Sequence, residues 1–286
     1  MALLGPLALR RVPRVLSIAG TDPTGGAGIQ ADLKSIAAMG GYGMAVVTAL
    51  VAQNTRGVRS VHTPPTAFLR EQLDAVSDDV IIDAVKIGML GDVATIEVVH
   101  EWLLRIQPQL VVLDPVMIAT SGDRLLADSA EASMRGLVGT VNLVTPNLPE
   151  LAVLVGEPIA THWPDALDQA RRLSAGAGTA VLVKGGHLLT DSSPDALVDA
   201  AGGAGETLRE FLGPRVATSN THGTGCSLSA AVATVMARTG DWGTAIGEVK
   251  GWLQGALTYA DELQVGEGSG PINHFHHLWT AALPGK

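Results

Sequence analysis

A glycine-rich turn near the carboxyl end of the chain has the residue types that most directly suggest chemistry. It reads NTHGTGC over residues 220–226 and runs into a predicted helix of small residues. Such a turn leaves backbone N–H groups free at the positive end of the helix dipole, where phosphate or a transferring phosphoryl group is stabilised. Cys226, the only cysteine, lies at the helix start, and there we expect its pKa to be lowered. The turn predicts an anion hole with an acid–base group, although Cys226 could also be only a small apolar residue.

A second glycine-rich loop, GTDPTGGAGIQAD over residues 20–32, follows the first predicted strand. Within it, Gly26, Gly28 and Ala31 match the G-x-G-x-x-A fingerprint of dinucleotide-binding proteins. That fingerprint also requires an acidic residue about twenty positions later to bind the ribose. Residues 33–70 contain neither Asp nor Glu, which argues against a dehydrogenase. A loop that closes over a small substrate fits better, and a tight turn without a ligand is the structural alternative.

Polar residues stand at the ends of other predicted strands. The carboxylate of Asp114 could bind Mg²⁺ or a water bound to it. Asn147 begins a predicted helix and could be its N-cap, with Glu150 as partner three residues on, a role compatible with metal-water binding. Lys184 precedes two glycines that permit close approach by phosphate, although a lone lysine at a strand end is usually a solvated surface residue.

The elements that would position these residues alternate between short apolar strands and amphipathic helices. Strands are predicted at residues 15–19, 44–51, 84–87, 110–113, 143–145 and 180–183. Helices are predicted at residues 28–39, 66–77, 93–106, 129–138, 148–155, 164–175, 225–238 and 244–263. The alternation indicates an α/β fold with a mostly parallel sheet covered on both faces and ligands beyond the carboxyl ends of the strands. Residues 191–212 are predicted to form a surface hairpin or flap.

Composition limits the class of protein. The 286 residues are 47% hydrophobic and 16% charged, which suits one domain over residues 15–283 after an N-terminal extension over residues 1–14. The net charge of −9 argues against non-specific nucleic-acid binding. No run of about eighteen apolar residues occurs, so no membrane span is expected. One cysteine excludes an internal disulfide and allows a reducing compartment, and we expect a cytoplasmic protein.

Seven motifs, taken together and in order, resemble the hydroxymethylpyrimidine/phosphomethylpyrimidine kinases of thiamine biosynthesis, in the ribokinase-like superfamily. They are residues 20–32, ALVAQNT (49–55), KIGML (86–90), DPVM (114–117), TPNLPE (145–150), VKGGH (183–187) and THGTGC (221–226). The resemblance spans about residues 15–279. It implies a three-layer α/β/α sandwich with a central, mostly parallel sheet, the use of ATP and Mg²⁺, and a homodimer.

The resemblance also implies roles for individual residues. It places Gly20, Ala27, Asp32, Val51, Gln53 and Met89 around a small-molecule pyrimidine. Gln53 suits that role because its amide can donate to a ring nitrogen and accept from an amino group. ATP would be bound by Lys184, Asn147, Thr221 and Gly223, and Mg²⁺ by Asp114 and Glu150, partly through water. Catalysis would fall to Lys184 and to an anion hole formed by Gly223, Thr224, Gly225 and Cys226, with Cys226 as candidate proton acceptor.

The activity that the resemblance implies is ATP-dependent phosphorylation of 4-amino-5-hydroxymethyl-2-methylpyrimidine and then of its monophosphate. Pyridoxal kinase, which performs the same chemistry on a related ring, is the nearest alternative. Many sugar kinases of the superfamily carry Asp where Cys226 stands, so the cysteine fits the pyrimidine and pyridoxal branch. A non-catalytic ligand-binding regulator is a more distant alternative, disfavoured by the presence of Asp114, Lys184 and Cys226.

Overall fold

One sheet of nine strands organises the part of the chain that the structure, a computed structural model, describes: residues 9–118, 125–188, 190–200 and 207–282. The strands are β1 (Arg14–Gly20), β2 (Tyr42–Asn54), β3 (Gly57–His62), β4 (Ala84–Ile87), β5 (Val111–Leu113), β6 (Leu143–Val144), β7 (Ala180–Lys184), β8 (Asp195–Asp199) and β9 (Thr207–Phe211). Their order is β3-β2-β1-β4-β5-β6-β7-β8-β9, and neighbours from β2 to β7 pair in parallel. The edge strand β3 pairs antiparallel with β2, and at the other side of the sheet β8 pairs antiparallel with both β7 and the edge strand β9.

Helices cover both faces of the sheet. They are α1 (Gly28–Ala38), α2 (Thr66–Ser77), α3 (Val93–Ile106), α4 (Glu131–Val138), α5 (Leu148–Val155), α6 (Trp163–Ala177), α7 (Thr224–Thr239), α8 (Trp242–Thr258) and α9 (His276–Ala282). One apolar cluster joins the sheet to α2 through α6, and a second joins it to α1, α7 and α8. The predicted three-layer α/β/α sandwich with a mostly parallel sheet is therefore confirmed.

Helix α7 lies deep in the second apolar layer, between the sheet and its neighbours α1 and α8. Every residue from Ser227 to Ala237 is buried. Alanine and serine make up much of this stretch, and their small side chains permit close packing against the strands. The core therefore fixes the position of the helix start and of the glycine-rich turn that precedes it.

Two predicted elements differ from the structure. The hairpin predicted over residues 191–212 is present, because β8 and β9 pair antiparallel, but only β9 is largely exposed: β8 also pairs with β7, and its residues Ala196 and Val198 are fully buried. The final long helix was predicted to reach Leu263, but α8 ends at Thr258 and a short 3-10 turn follows. It ends there because the N–H of Asn273 donates to the carbonyl of Ala256, which a continuing helix would need for its own ladder.

Strand β3 and helix α9 were not predicted, and most of the proposed N-terminal extension lies outside the described residues. Within the described ranges, no helix combines the length and the apolar character that crossing a membrane requires. The carboxyl ends of the parallel strands lie at the same side of the sheet, so Gly20, Asp114 and Lys184 are brought to the same end of the molecule.

Candidate functional site

A cavity of about 630 Å³ lies at this edge of the sheet. Its walls include every predicted site residue except Asp32: Gly20, Ala27, Val51, Gln53, Met89, Asp114, Asn147, Glu150, Lys184, Thr221, Gly223, Thr224, Gly225 and Cys226. The residues proposed for the pyrimidine, the phosphates and the metal therefore share one space. That arrangement suits a reaction in which a small molecule meets a phosphate donor.

The glycine-rich turn meets the carboxyl ends of β5 and β7. Helix α7 begins at Thr224, and the cap residue Gly223 has a left-handed φ of 76°. A Cβ on Gly223 would lie 1.8 Å from the carbonyl oxygen of Gly26, so only glycine fits. A Cβ on Gly225 would lie 3.2 Å from Lys184 Nζ and 3.5 Å from an oxygen of Asp114. The positive end of α7 thus abuts the charged floor of the cavity.

That floor is built around Asp114. Lys184 Nζ donates to Asp114 Oδ1 over 3.0 Å, and the Thr145 hydroxyl donates to the same oxygen over 3.2 Å. Burial disfavours the charged form of Lys184, but the carboxylates of Asp114 and Glu150 outweigh it and raise the Lys184 pKa. Lys184 is therefore an ammonium group held next to the start of α7, where it can attract phosphate oxygens.

Asn147 and Glu150 form a capping box at the start of α5. The Asn147 N–H donates to Glu150 Oε2 and the Glu150 N–H donates to Asn147 Oδ1, both over 2.9 Å. Burial raises the pKa of Glu150 to about 7. The charge of Lys184 lowers this pKa and the charge of Asp114 raises it, but burial has the largest effect. The predicted capping role is present, and because both residues also line the cavity it does not compete with binding.

The oxygen atoms of Asp114 and Glu150 fit a hard cation. Among the described residues, no group of three or more His, Cys, Asp and Glu side chains is arranged to bind a metal ion. A site with two carboxylates instead suits Mg²⁺, which keeps several waters and commonly completes its coordination with substrate phosphates. The donor set is therefore compatible with the expected ion.

The opposite part of the cavity is formed by β1, β2 and the glycine-rich loop over residues 20–28. A Cβ on Gly28, whose φ is 55°, would lie 2.3 Å from the carbonyl oxygen of Gly20. A Cβ on Gly20 would lie 2.7 Å from the Met89 side chain. Half-buried Gln53 and buried Val51 complete this wall. Close backbone approach here leaves a narrow apolar space with one amide, which suits a flat, polar-edged ring.

Asp32 is not placed as the resemblance implied. It lies on the inward face of α1, fully buried, and Lys86 Nζ donates to both of its oxygens over 2.8 Å. The Ser17 hydroxyl donates to Asp32 Oδ2 over 2.6 Å. Burial opposes the charged form of Lys86, but the carboxylates of Asp32 and Asp114 outweigh it and raise the Lys86 pKa. Asp32 therefore belongs to an ion pair beneath the cavity and does not line it.

The expected lowering of the Cys226 pKa is wrong. Burial raises the pKa of the thiol to about 11, and the negative charges of Asp114 and Asp32 add to that effect. The ammonium of Lys86 and the backbone N–H of Gly28 act in the opposite direction without overcoming it. A position at a helix start favours a thiolate, but here the loss of water outweighs the helix dipole. In the protein without ligands, Cys226 is a neutral thiol at pH 7.

Sequence reasoning missed two parts of the site. One is the buried carboxylate of Asp22, which holds the loop over residues 20–28 in place. The other is an arm of the cavity between β8 and α8, where Lys250 Nζ donates to Asp195 Oδ2 over 2.5 Å and to the Ser193 carbonyl over 2.6 Å. Lys250 lies in mid-helix with no motif around it, so the sequence carried no signal for it.

Comparison with known proteins places this geometry in a family. The family model described as phosphomethylpyrimidine kinase matches residues 22–273. The hydroxymethylpyrimidine/phosphomethylpyrimidine kinase of Escherichia coli is 52% identical over 265 residues, which cover 92% of this chain and 98% of that protein. A thiamine biosynthesis multifunctional protein of Corynebacterium efficiens is 55% identical over 93% of this chain, and the chain spans about a third of that relative, 36%.

Solved structures agree with the sequence comparison. A pyridoxal kinase from Bacillus subtilis, solved as an ADP complex, superposes with a TM-score of 0.84 and 31% identity, covering 93% of this chain and 98% of the other. Identity to the pyridoxal kinase is well below the identity to the Escherichia coli protein. The resemblance carried by the motifs is confirmed, and the chain belongs to the phosphomethylpyrimidine kinase family.

Proposed function

We propose that this protein is an ATP-dependent kinase that phosphorylates 4-amino-5-hydroxymethyl-2-methylpyrimidine and then its monophosphate. The observation that carries the proposal is the shared cavity, in which the start of α7 and Lys184 face a narrow space lined by Gln53. Phosphoryl transfer requires mainly that donor and acceptor be held in line and that charge be stabilised. Family membership supports the same reaction.

At the pyrimidine end, Gln53 reads the polar edge of the ring in this proposal. Its amide donates to a ring nitrogen and accepts from the amino group. Gly20, Ala27, Val51 and Met89 provide the apolar surfaces on either side. The hydroxymethyl group then points towards the start of α7, and one site serves both phosphorylation steps if the monophosphate presents its phosphate where the hydroxyl first lay.

At the nucleotide end, Lys184, Asn147, Thr221 and Gly223 bind ATP in this proposal. The ammonium of Lys184 offsets phosphate charge, and the N–H groups in the first turn of α7 point at the transferring phosphoryl group. Asp114 and Glu150 would hold Mg²⁺ through oxygen atoms and water, and the ion supplies further charge neutralisation on the phosphates. The pyridoxal kinase from Bacillus subtilis was solved as an ADP complex, which supports the use of an adenine nucleotide.

Cys226 is the candidate acceptor of the hydroxyl proton, and its raised pKa restricts when it can act. At pH 7 only about one thiol in 10⁴ is ionised when the pKa is about 11. A neutral thiol cannot accept a further proton, so we propose that only the ionised fraction of Cys226 takes it, late in the transfer, after bonding to phosphorus has lowered the pKa of the hydroxyl. Replacement by alanine lowers turnover by about 10²–10⁴-fold if Cys226 takes the proton. Nearly full turnover, with chemistry rate-limiting, would remove this role and leave the anion hole intact.

The test of the whole proposal is product mass over time. Purified protein is incubated with ATP, Mg²⁺ and either the pyrimidine alcohol or its monophosphate, and we expect first the monophosphate and then the diphosphate. A Lys184→Met variant, prepared in parallel and assayed at an ATP concentration below its raised KM, controls for contaminating kinases, because only the activity of this protein should fall. A product that stops at the monophosphate would remove the second step. ATP consumption that does not depend on the pyrimidine would favour a non-catalytic binding protein with background hydrolysis.

Pyridoxal kinase is the second candidate, and the superposition on the Bacillus subtilis enzyme is the observation that favours it. Pyridoxal lacks the amino-pyrimidine edge that Gln53 is suited to bind, so it should be the poorer substrate. The same assay with pyridoxal discriminates the two. Faster phosphorylation of pyridoxal than of both pyrimidines would move the assignment.

We further propose that residues 15–283 form one domain and that it functions as a homodimer in the cytoplasm, where ATP is available. Exposed apolar side chains on β2 and β3 support an association surface: Tyr42, Leu50 and Val61 are 62%, 51% and 47% exposed. Light scattering coupled to gel filtration tests the dimer. A mass of one chain at micromolar concentration would contradict it.

A further inference from the structure

Asp22 organises the loop over residues 20–28 from within. Its side chain is fully buried, and its Oδ1 accepts from the N–H and the hydroxyl of Thr24 over 2.9 and 2.8 Å. Its Oδ2 accepts from the N–H groups of Gly26 and Ala27 over 3.0 and 2.8 Å. Burial opposes the charge, but hydrogen bonds from His222 and Thr24 outweigh it and hold the Asp22 pKa well below its usual range. One carboxylate thus shapes the loop that walls the pyrimidine end of the cavity.

The same carboxylate reaches the anion-hole turn. His222, the residue before Gly223, places Nε2 2.9 Å from Asp22 Oδ2. The His222 backbone is itself fixed, because its N–H donates to the Gly270 carbonyl over 3.0 Å. The two segments also touch directly: a Cβ on Gly26 would lie 2.6 Å from the His222 ring. A side-chain hydrogen bond and close backbone packing therefore join parts of the chain 200 residues apart.

We infer that Asp22 and His222 form a positioning pair, which fixes the distance between the acceptor hydroxyl and the anion hole. The inference rests on the proposed function, because it takes the turn over residues 223–226 to receive the transferring group. Neither residue needs to contact the reacting atoms. In-line transfer depends steeply on distance, and a displacement of about 1 Å can lower a rate by about 10²-fold. A hydrogen bond that joins the two walls suits that requirement.

The pair predicts an effect on turnover that binding alone does not show. Removing the imidazole in His222→Ala leaves the hydrogen bonds from Thr24, Gly26 and Ala27 to Asp22 but breaks the link to the turn. We expect kcat for the pyrimidine alcohol to fall about 10–100-fold while the affinity for ADP, measured by calorimetry, stays within about twofold. His222→Gln offers an amide N–H that can donate to Asp22 and should recover most of kcat.

Lys34→Met is the matched control. Lys34 Nζ donates to the Gly25 carbonyl over 2.7 Å, so it ties the same loop without touching the turn. We expect its kcat to stay within about threefold of the wild type. An equal loss in Lys34→Met and His222→Ala would overturn the inference, because general loop order would then explain both.

Other results are equally decisive. Wild-type kcat in His222→Ala, or no recovery in His222→Gln, would overturn the pair. If His222→Ala does not fold, judged by circular dichroism, then His222→Gln is compared with His222→Asn, whose amide is one methylene shorter. Equal kcat values in those two variants would overturn the pair as well, and a higher value for Gln would support it. A wild type that forms no phosphorylated product would refute the proposed function and the inference with it, which separates the two failures.

Discussion

The raised pKa of Glu150 predicts that magnesium binding depends on pH across the neutral range. The carboxyl group has a pKa of about 7 in the protein without metal, so it is largely protonated at pH 6 and largely ionised at pH 8. Only the ionised form can bind a cation or accept from its waters. The ionised fraction of Glu150 rises from about one tenth at pH 6 to about nine tenths at pH 8, and the apparent affinity for Mg²⁺ should therefore rise about tenfold.

The variant that isolates this effect is Glu150→Gln. Glutamine at this position can keep the capping box with Asn147, so α5 retains its first turn, but it cannot ionise. Calorimetry at pH 6, 7 and 8 compares the binding of ADP with that of Mg-ADP, and the difference reports the contribution of the ion. ADP ionises in this range as well, but equally in both proteins. The same pH dependence in wild type and variant would refute the assignment of Glu150 to the metal.

The same group makes stability depend on pH with a defined sign. Its pKa rises from 4.5 in the unfolded chain to about 7 in the folded protein, so the folded state binds the proton more tightly. The contribution of Glu150 to the free energy of unfolding is therefore fully present below pH 4.5 and is lost as the pH rises through 7. Without metal, the free energy of unfolding should fall by about 3 kcal/mol across that range relative to Glu150→Gln. An identical pH profile for the variant in urea melts would contradict the pKa shift.

Three further predictions concern the other walls of the cavity. Because the Cys226 pKa is about 11, alkylation of this thiol by iodoacetamide at pH 7 should be about 10²-fold slower than that of an unperturbed thiol. The alkylation rate should rise about tenfold per pH unit, and a rate that stops rising below about pH 9 would refute the raised pKa. Lys184→Met should raise KM for ATP by about 10–100-fold, since it removes a cation from the phosphate site, and an unchanged ATP titration would contradict that role. Gln53→Leu should cost about 1–3 kcal/mol in kcat/KM for the pyrimidine, and an undiminished value would remove Gln53 from recognition of the ring.

Much of the fold could be predicted because local patterns and global packing agree. The helix predicted over residues 66–77 coincides with α2, whose apolar residues Leu69 and Leu73 face the core as the spacing required. Short apolar runs that end at glycine, aspartate or asparagine likewise predicted the strands β1, β5 and β6. The hairpin over residues 191–212 was predicted, but the burial of β8 was not, because these residues combine Gly, Asp and Ser with only a short apolar run and pairing with β7 decides the burial.

The chemistry of the site was less predictable than its location. Motif spacing places residues at strand ends, but it does not say which face a side chain takes or how much water surrounds it. Asp32 lies in a motif, yet the helical phase of α1 turns it towards Lys86 and away from the cavity. The Cys226 thiol lies where a helix dipole favours ionisation, yet burial decides its pKa. Both properties arise from packing between segments far apart in the sequence.

The burial of α7 on all sides has a consequence for how the protein tolerates change. The glycine-rich turn lies at the cavity end of α7, and the helix beyond it is enclosed by the sheet, α1 and α8. Ala230 and Ala233 lie in the middle of the helix and are fully buried. A larger side chain at either position cannot be accommodated by a surface loop, so the whole helix must move relative to the strands. Such a substitution should lower the free energy of unfolding by about 1–3 kcal/mol and should also move the turn at the start of α7, so that turnover falls although the mutated residue is remote from the cavity. The interior of α7 should therefore accept only small side chains at Ala230 and Ala233.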